Sequence, residues 1–215
     1  MGDGLITLVI LAGITVFLVL RLKNVLGTKT GFEKKIEPAR NVGHDSQPAP
    51  PPRPPAAPEK IAANDPLAET WAAFREIEPD FSPREFTEGA KMAYEMLLMA
   101  FENGDKATLK TYLSPDVYQD FAAVIDQREA DGLTVDARFV GVREAKIVDA
   151  RLDADEKIAE IEMRIVAELV TVVRDSEHRV VEGDPNEIRR ETGRWTFGRR
   201  LGSRDPNWLL IATGG

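Results

Sequence analysis

The sequence predicts an α+β domain carried behind a single N-terminal transmembrane helix, and three observations predict it. Leu5 to Leu20 form an uncharged apolar run. Apolar residues between Leu67 and Gly132 recur at helical spacing behind two proline-bearing caps. Beyond Gly132 the period falls to two through to the C-terminus. Helices first and an antiparallel meander afterwards give helices packed on one face of a bent four-stranded sheet. The chain divides into an anchor over residues 1–26, a Pro-rich flexible linker over 27–66 and the α+β domain over 67–215.

The run LITLVILAGITVFLVL holds sixteen residues without a charge. It lies at the short end of what a bilayer requires, and Arg21 and Lys23 can snorkel to make up the difference. A cleaved signal peptide would need a basic start and a small-x-small cleavage site. Here the start is Met1-Gly2-Asp3-Gly4 and Arg21 follows the run, so the span reads as an uncleaved anchor. Arg21, Lys23, Lys29, Lys34 and Lys35 all follow the span. The positive-inside rule therefore puts the C-terminal bulk in the cytoplasm or its topological equivalent.

Nine of the fourteen prolines fall between Pro38 and Pro66, which favours extended polyproline II and leaves nothing to bury. The segment reads as a tether. Residues 21–60 carry eight Lys or Arg against four acids, while residues 61–215 carry twenty against thirty-one. An acidic domain is a poor partner for nucleic acid, whose affinity comes mainly from neutralised phosphates.

Within the domain, Leu67, Trp71, Phe74 and Ile77 predict a short helix between Asp65 and Glu78. Ser82-Pro83-Arg84-Glu85 is a capping box with proline in the first turn, and the helix it starts runs to Gly104. Its small residues Gly89, Ala90 and Ala93 allow close approach. Asp105 begins a short helix, and Ser114-Pro115 caps another that ends at Gly132. Residues 133–152 and Ile158 to Val173 alternate about the turn Asp153 to Lys157, predicting a long hairpin. The third strand is expected near Ile188 to Leu201 and the fourth at Trp208 to Ala212. Leu169 to Val173 is apolar on both faces, which suits either a covered central strand or an interaction surface.

Composition closes off much chemistry. Without cysteine there is no disulfide framework, Cys-based zinc site or thiol nucleophile, and His44 and His178 are too few for a His-cluster metal centre. Gly193 and Gly198 are spaced like half a P-loop, but Arg199-Arg200 stands where Lys-Ser/Thr is needed. No cofactor, metal or catalytic residue is expected. Alternation sets Arg199 on the same face as Trp195 and Phe197, unlike Arg194 and Arg200.

The stretch Gly193-Arg-Trp-Thr-Phe-Gly-Arg-Arg-Leu-Gly-Ser-Arg-Asp-Pro-Asn-Trp208 resembles the C-terminal signature of the Tim44-like domain family. Phe86-Thr-Glu-Gly-Ala-Lys-Met-Ala-Tyr-Glu-Met and Ala100-Phe-Glu-Asn-Gly-Asp105 resemble its helical half, so the likeness covers residues 67–215. With the anchor and tether, the layout is similar to bacterial membrane-anchored adaptors of that family. The resemblance implies a sheet curled around an apolar cavity, of nuclear-transport-factor-two or cystatin-like form. It implies a non-enzymatic membrane-tethered adaptor that binds a protein partner, linked to protein translocation or envelope machinery. The other function it implies is binding of a lipid or other apolar ligand in that cavity. The candidate lining residues are Phe101, Phe121, Val135, Ile165, Trp195, Phe197 and Arg199. Family members touch anionic lipid through the start of the domain, but here Asp65, Glu69, Glu76 and Glu78 face only Arg75, which disfavours an anionic surface.

Overall fold

A computed structural model describes residues 61–62 and 64–214. The expected membrane helix, and the linker up to residue 60, lie outside the described residues. Among those described, no helix is long and apolar enough to cross a membrane.

Four helices come first: α1 (Ala68–Ile77), α2 (Pro83–Glu102), α3 (Lys106–Tyr112) and α4 (Pro115–Ala130). Their ends follow the local chemistry of the sequence. Ser82 Oγ accepts from the Glu85 amide at 3.2 Å and Ser114 Oγ from the Val117 amide at 3.4 Å, each with proline in the first turn. Asp105 Oδ1 accepts from Ala107 and Thr108, which starts α3. After α2 the chain turns at Gly104 with φ 70°, and the Asp105 amide donates back to the Ala100 carbonyl at 2.8 Å. This six-to-one closure satisfies carbonyls the helix would otherwise strand, and it needs a residue without a Cβ penalty in the left-handed region.

The strands are β1 (Thr134–Asp153), β2 (Ile158–Arg174), β3 (Val180–Gly183), β4 (Arg189–Arg200) and β5 (Leu209–Gly214). All pairings are antiparallel, in the order β1-β2-β4-β5, and the sheet is open with β1 and β5 at its edges. The hairpin turn forms as expected, with Asp153 Oδ1 accepting from the amides of Asp155 and Glu156. Three register shifts in the β1–β2 ladder, between Phe139 and Gly141, Val142 and Glu144, and Ile147 and Asp149, add local twist.

Five strands replace the four expected. β4 pairs with β2 only as far as Leu169, whereas β2 continues to Arg174. The exposed ladder groups of that extension need partners, and β3 supplies them opposite Val172, Val173 and Arg174. Four residues with no alternation are too short to signal a strand.

The helix layer covers one face of the sheet. Ala159, Ile161, Met163, Ile165, Ala167 and Leu169 line that face of β2, and all are buried together with Trp71, Phe74, Tyr94, Leu97 and Phe197. Each large apolar side chain so buried contributes about 1.5–3 kcal/mol. Burial, and then the charge of Glu191, push the Tyr94 phenol up to about 12. The opposite face is ionic. Arg151 pairs with Glu160, Arg194 with Glu162 and Arg164 with Glu144, each at 2.5–2.7 Å. Glu168 accepts from Arg143 and Arg190. Val166, Val170 and Val172 lie buried on that ionic face, so the doubly apolar end of β2 is a covered central strand.

Candidate functional site

The turn between α1 and α2, the first half of α2 and the β4–β5 loop surround an open groove of about 770 Å³. Each wall follows from its sequence. Pro79 cannot continue α1, so the chain leaves the helix at Glu78 and returns through a turn in which the Phe81 amide donates to the Glu78 carbonyl at 3.0 Å. Arg75 Nε then donates to the Phe81 carbonyl at 3.0 Å. That places the Phe81 ring against Phe74, at 5.1 Å between centroids, and against Trp208, at 6.3 Å.

Along α2, Gly89, Ala90 and Ala93 leave the groove floor low, while Met92 and Met96, one turn apart, rise into solvent with 69% and 36% exposure. Unbranched methionine adapts its shape to an apolar partner more readily than other side chains do. The third wall is the loop after β4. Asp205 Oδ1 accepts from the Asn207 amide at 2.9 Å, and Trp208 then stacks edge-on to Phe86 at 4.8 Å.

One ion pair sits at the base. Glu78 Oε2 accepts from Arg199 Nη2, and Glu78 Oε1 accepts from the Gly202 amide at 2.8 Å. The Arg199 guanidinium lies 5.1 Å from the Trp208 ring centre, close enough for a cation–π contact. Its Nε is buried with no acceptor. Asp80 and Glu85 add acidic character to the lining. The groove thus offers apolar and aromatic surface with one charge pair already engaged, an arrangement suited to binding.

The seven residues expected to line a single cavity occupy four places. Phe197 and Arg199 line the groove. Ile165 and Trp195 belong to the core beneath the helices, with Trp195 4.4 Å from Tyr94. Phe101 and Phe121 stack at 4.9 Å and join α2 to α4, with Arg128 over Phe101 at 4.3 Å and bonded to Glu102 at 3.3 Å. Burial raises the Glu102 carboxyl above its usual range, against the opposing pull of Arg128. Val135 is half-buried on β1 opposite Val173. Sequence reasoning did not single out Phe81, Met92, Met96 or Trp208 as site residues. The small-residue run in α2 was the signal available, and the i, i+4 spacing of the two methionines beside it completes that signal.

A family model described as the Tim44-like domain matches residues 67–215. The mitochondrial import inner membrane translocase subunit TIM44-1 of Arabidopsis thaliana is 24% identical over 139 residues, which is 65% of this chain and 29% of that protein. The chain therefore spans under a third of that relative's length. Among solved structures, the intermembrane space region of the chloroplast protein ARC6 matches with a TM-score of 0.42 at 16% identity, over 62% of this chain and 95% of that one.

Proposed function

Since the chain belongs to the Tim44-like domain family, we propose that it is a non-enzymatic adaptor, held at the cytoplasmic face of a bacterial inner membrane, which docks a protein partner in the α2 groove. In this reading residues 1–26 anchor, residues 27–66 tether and residues 67–215 bind. The name of the Arabidopsis thaliana relative links it to protein import at an inner membrane, and a role near translocation or envelope machinery extends that link to this chain. One observation carries the docking site. Met92 and Met96 stand exposed above a floor of Gly89, Ala90 and Ala93, flanked by Phe81, Phe86 and Trp208. Two exposed, adaptable methionines beside the half-buried Trp208 give the kind of apolar contact that binding surfaces use.

The test is affinity capture of the full-length chain from solubilised membranes, beside the double variant M92E/M96E. The wild type is expected to retrieve the same membrane or envelope proteins repeatedly, and the variant to fold normally and lose them. Identical retrieval by both would refute the groove, and recovery of the full chain in the soluble fraction would refute the tether. A lipid or other apolar ligand is the second reading. The apolar and aromatic side chains that line the groove motivate it. Native mass spectrometry of gently purified protein would detect such a ligand, and consistently empty protein would exclude it.

A further inference from the structure

Three features of the groove base belong together. Glu78 divides its carboxylate, giving one oxygen to Arg199 Nη2 and the other to the Gly202 amide. Arg199 Nε, on the guanidinium edge that faces a side-on carboxylate, is buried without an acceptor. The loop that Glu78 holds is otherwise tied by its own turns, in which the Asp205 amide donates to Ser203 Oγ and the Asn207 amide to Asp205 Oδ1.

A buried donor without a partner is rare enough to require a reason. A small rotation of the Glu78 carboxylate would supply one, because both oxygens would then meet Arg199 in the two-bond fork that guanidinium favours. That pose satisfies Nε and releases the Gly202 amide, which is exposed and can bond to water. The fork gains a buried charge-assisted bond and gives up one that water can replace, so only the observed bond to the Gly202 amide holds Glu78 back from it. The consequences of the two poses for the groove differ. Gly202, with φ 73°, follows Leu201, which is fixed by burial and by its amide bond to the Lys157 carbonyl at 2.8 Å. Trp208 is fixed at the other end by Phe86. Between these two anchors the chain from Gly202 to Asn207 is exposed throughout, and Pro206 and Asn207 form part of the groove wall.

We propose that Glu78 is a latch shared between Arg199 and Gly202, and that transfer of its second oxygen to Arg199 frees the β4–β5 loop and widens the groove. The proposal rests on the groove being the docking site, yet it concerns the unliganded protein and can be tested without a partner. Hydrogen exchange of the full-length chain, followed by mass spectrometry of peptides spanning Gly198 to Trp208, reads the latch directly. R199K keeps a positive charge but cannot form the fork, so Glu78 stays on Gly202 and exchange at that amide is expected to slow severalfold. E78A removes the latch, and exchange is expected to approach the rate of an unprotected amide. Uptake of an apolar fluorescent dye should follow the same order, lowest in R199K and highest in E78A, with M92E/M96E as the control that abolishes uptake in the groove. Equal or faster exchange in R199K than in wild type would overturn the latch. An intact latch with no loss of partners in M92E/M96E would instead overturn the docking reading alone.

Discussion

Gly183 and Gly104 both have positive φ, at 83° and 70°, yet an alanine at each should behave very differently. At Gly104 an added Cβ would lie 3.5 Å from Ile125 Cγ2, an ordinary contact. G104A therefore carries only the left-handed backbone term, about 1–2 kcal/mol. At Gly183 the added Cβ would fall 2.0 Å from the Thr171 carbonyl oxygen and 3.2 Å from Val172 Cα. Backbone blocks it, so no rotamer change relieves the overlap, and β3 must leave β2. Leaving forfeits the pairing opposite Val172, Val173 and Arg174 and uncovers Val172, which is 2% exposed. At about 1 kcal/mol for each ladder bond lost and about 2 kcal/mol for the valine, G183A costs roughly 3–5 kcal/mol. Detaching so short a strand also caps the loss near that value. Asparagine separates the two causes, because it tolerates positive φ but still carries a Cβ: G104N should recover most of the alanine deficit and G183N none. Chemical denaturation gives the stabilities, and amide exchange at Val172 to Arg174 reports on β3. A G183A protein with wild-type stability and protected β2 amides would refute the reasoning.

The other expectations are briefer. F74A empties a fully buried site at the centre of the Trp71, Phe74 and Phe81 cluster and should cost about 3–5 kcal/mol by denaturant titration. The ion pairs of Lys106 with Asp126 and Glu129 are solvent-exposed, so K106A should change the melting temperature by at most a degree or two. Arg143, aided by Arg190, holds the Glu168 carboxyl below its usual range, so its stabilising contribution is complete above pH 4.5 and lost as pH falls through the lower folded value. The stability gap between wild type and E168Q should therefore be constant above about pH 5 and close in acid. Glu102 has the opposite sign, because its folded value is raised and burial of its charge opposes folding at neutral pH. R128A removes the compensating cation, so it should destabilise at pH 7 and do so less near pH 5, which paired melts at the two pH values would read out.

Features whose cause is local were legible in the sequence. The caps at Ser82 and Ser114, the glycine stops at Gly104 and Gly132 and the turn at Asp153 each depend on a few adjacent residues, and the alternation from Ile158 onwards gave the hairpin strand β2. Arg199 was recognisable as unusual because it shares a face with Trp195 and Phe197. Its partner was not, since Glu78 lies 121 positions away and nothing local in either residue encodes the meeting. β3 escaped notice for a related reason: it exists because β2 outruns β4, and four residues carry no period of their own. The groove likewise depends on bringing the start of α2 beside Trp208, a tertiary juxtaposition that no single segment announces.

The order of elements also sets a schedule for biosynthesis. The four described helices leave the ribosome before any described strand, with their apolar faces uncovered, and about 80 further residues must follow Ala130 before Leu210 arrives. At roughly 5–20 residues per second that interval is on the order of 4–16 s. The Ser114 amide, at the start of α4, then donates to the Leu210 carbonyl at 2.9 Å, so a residue of β5 fastens down a helix made well before it. A chain cut short before Leu210 would leave the start of α4 unfastened, a consequence out of proportion to the six residues of β5.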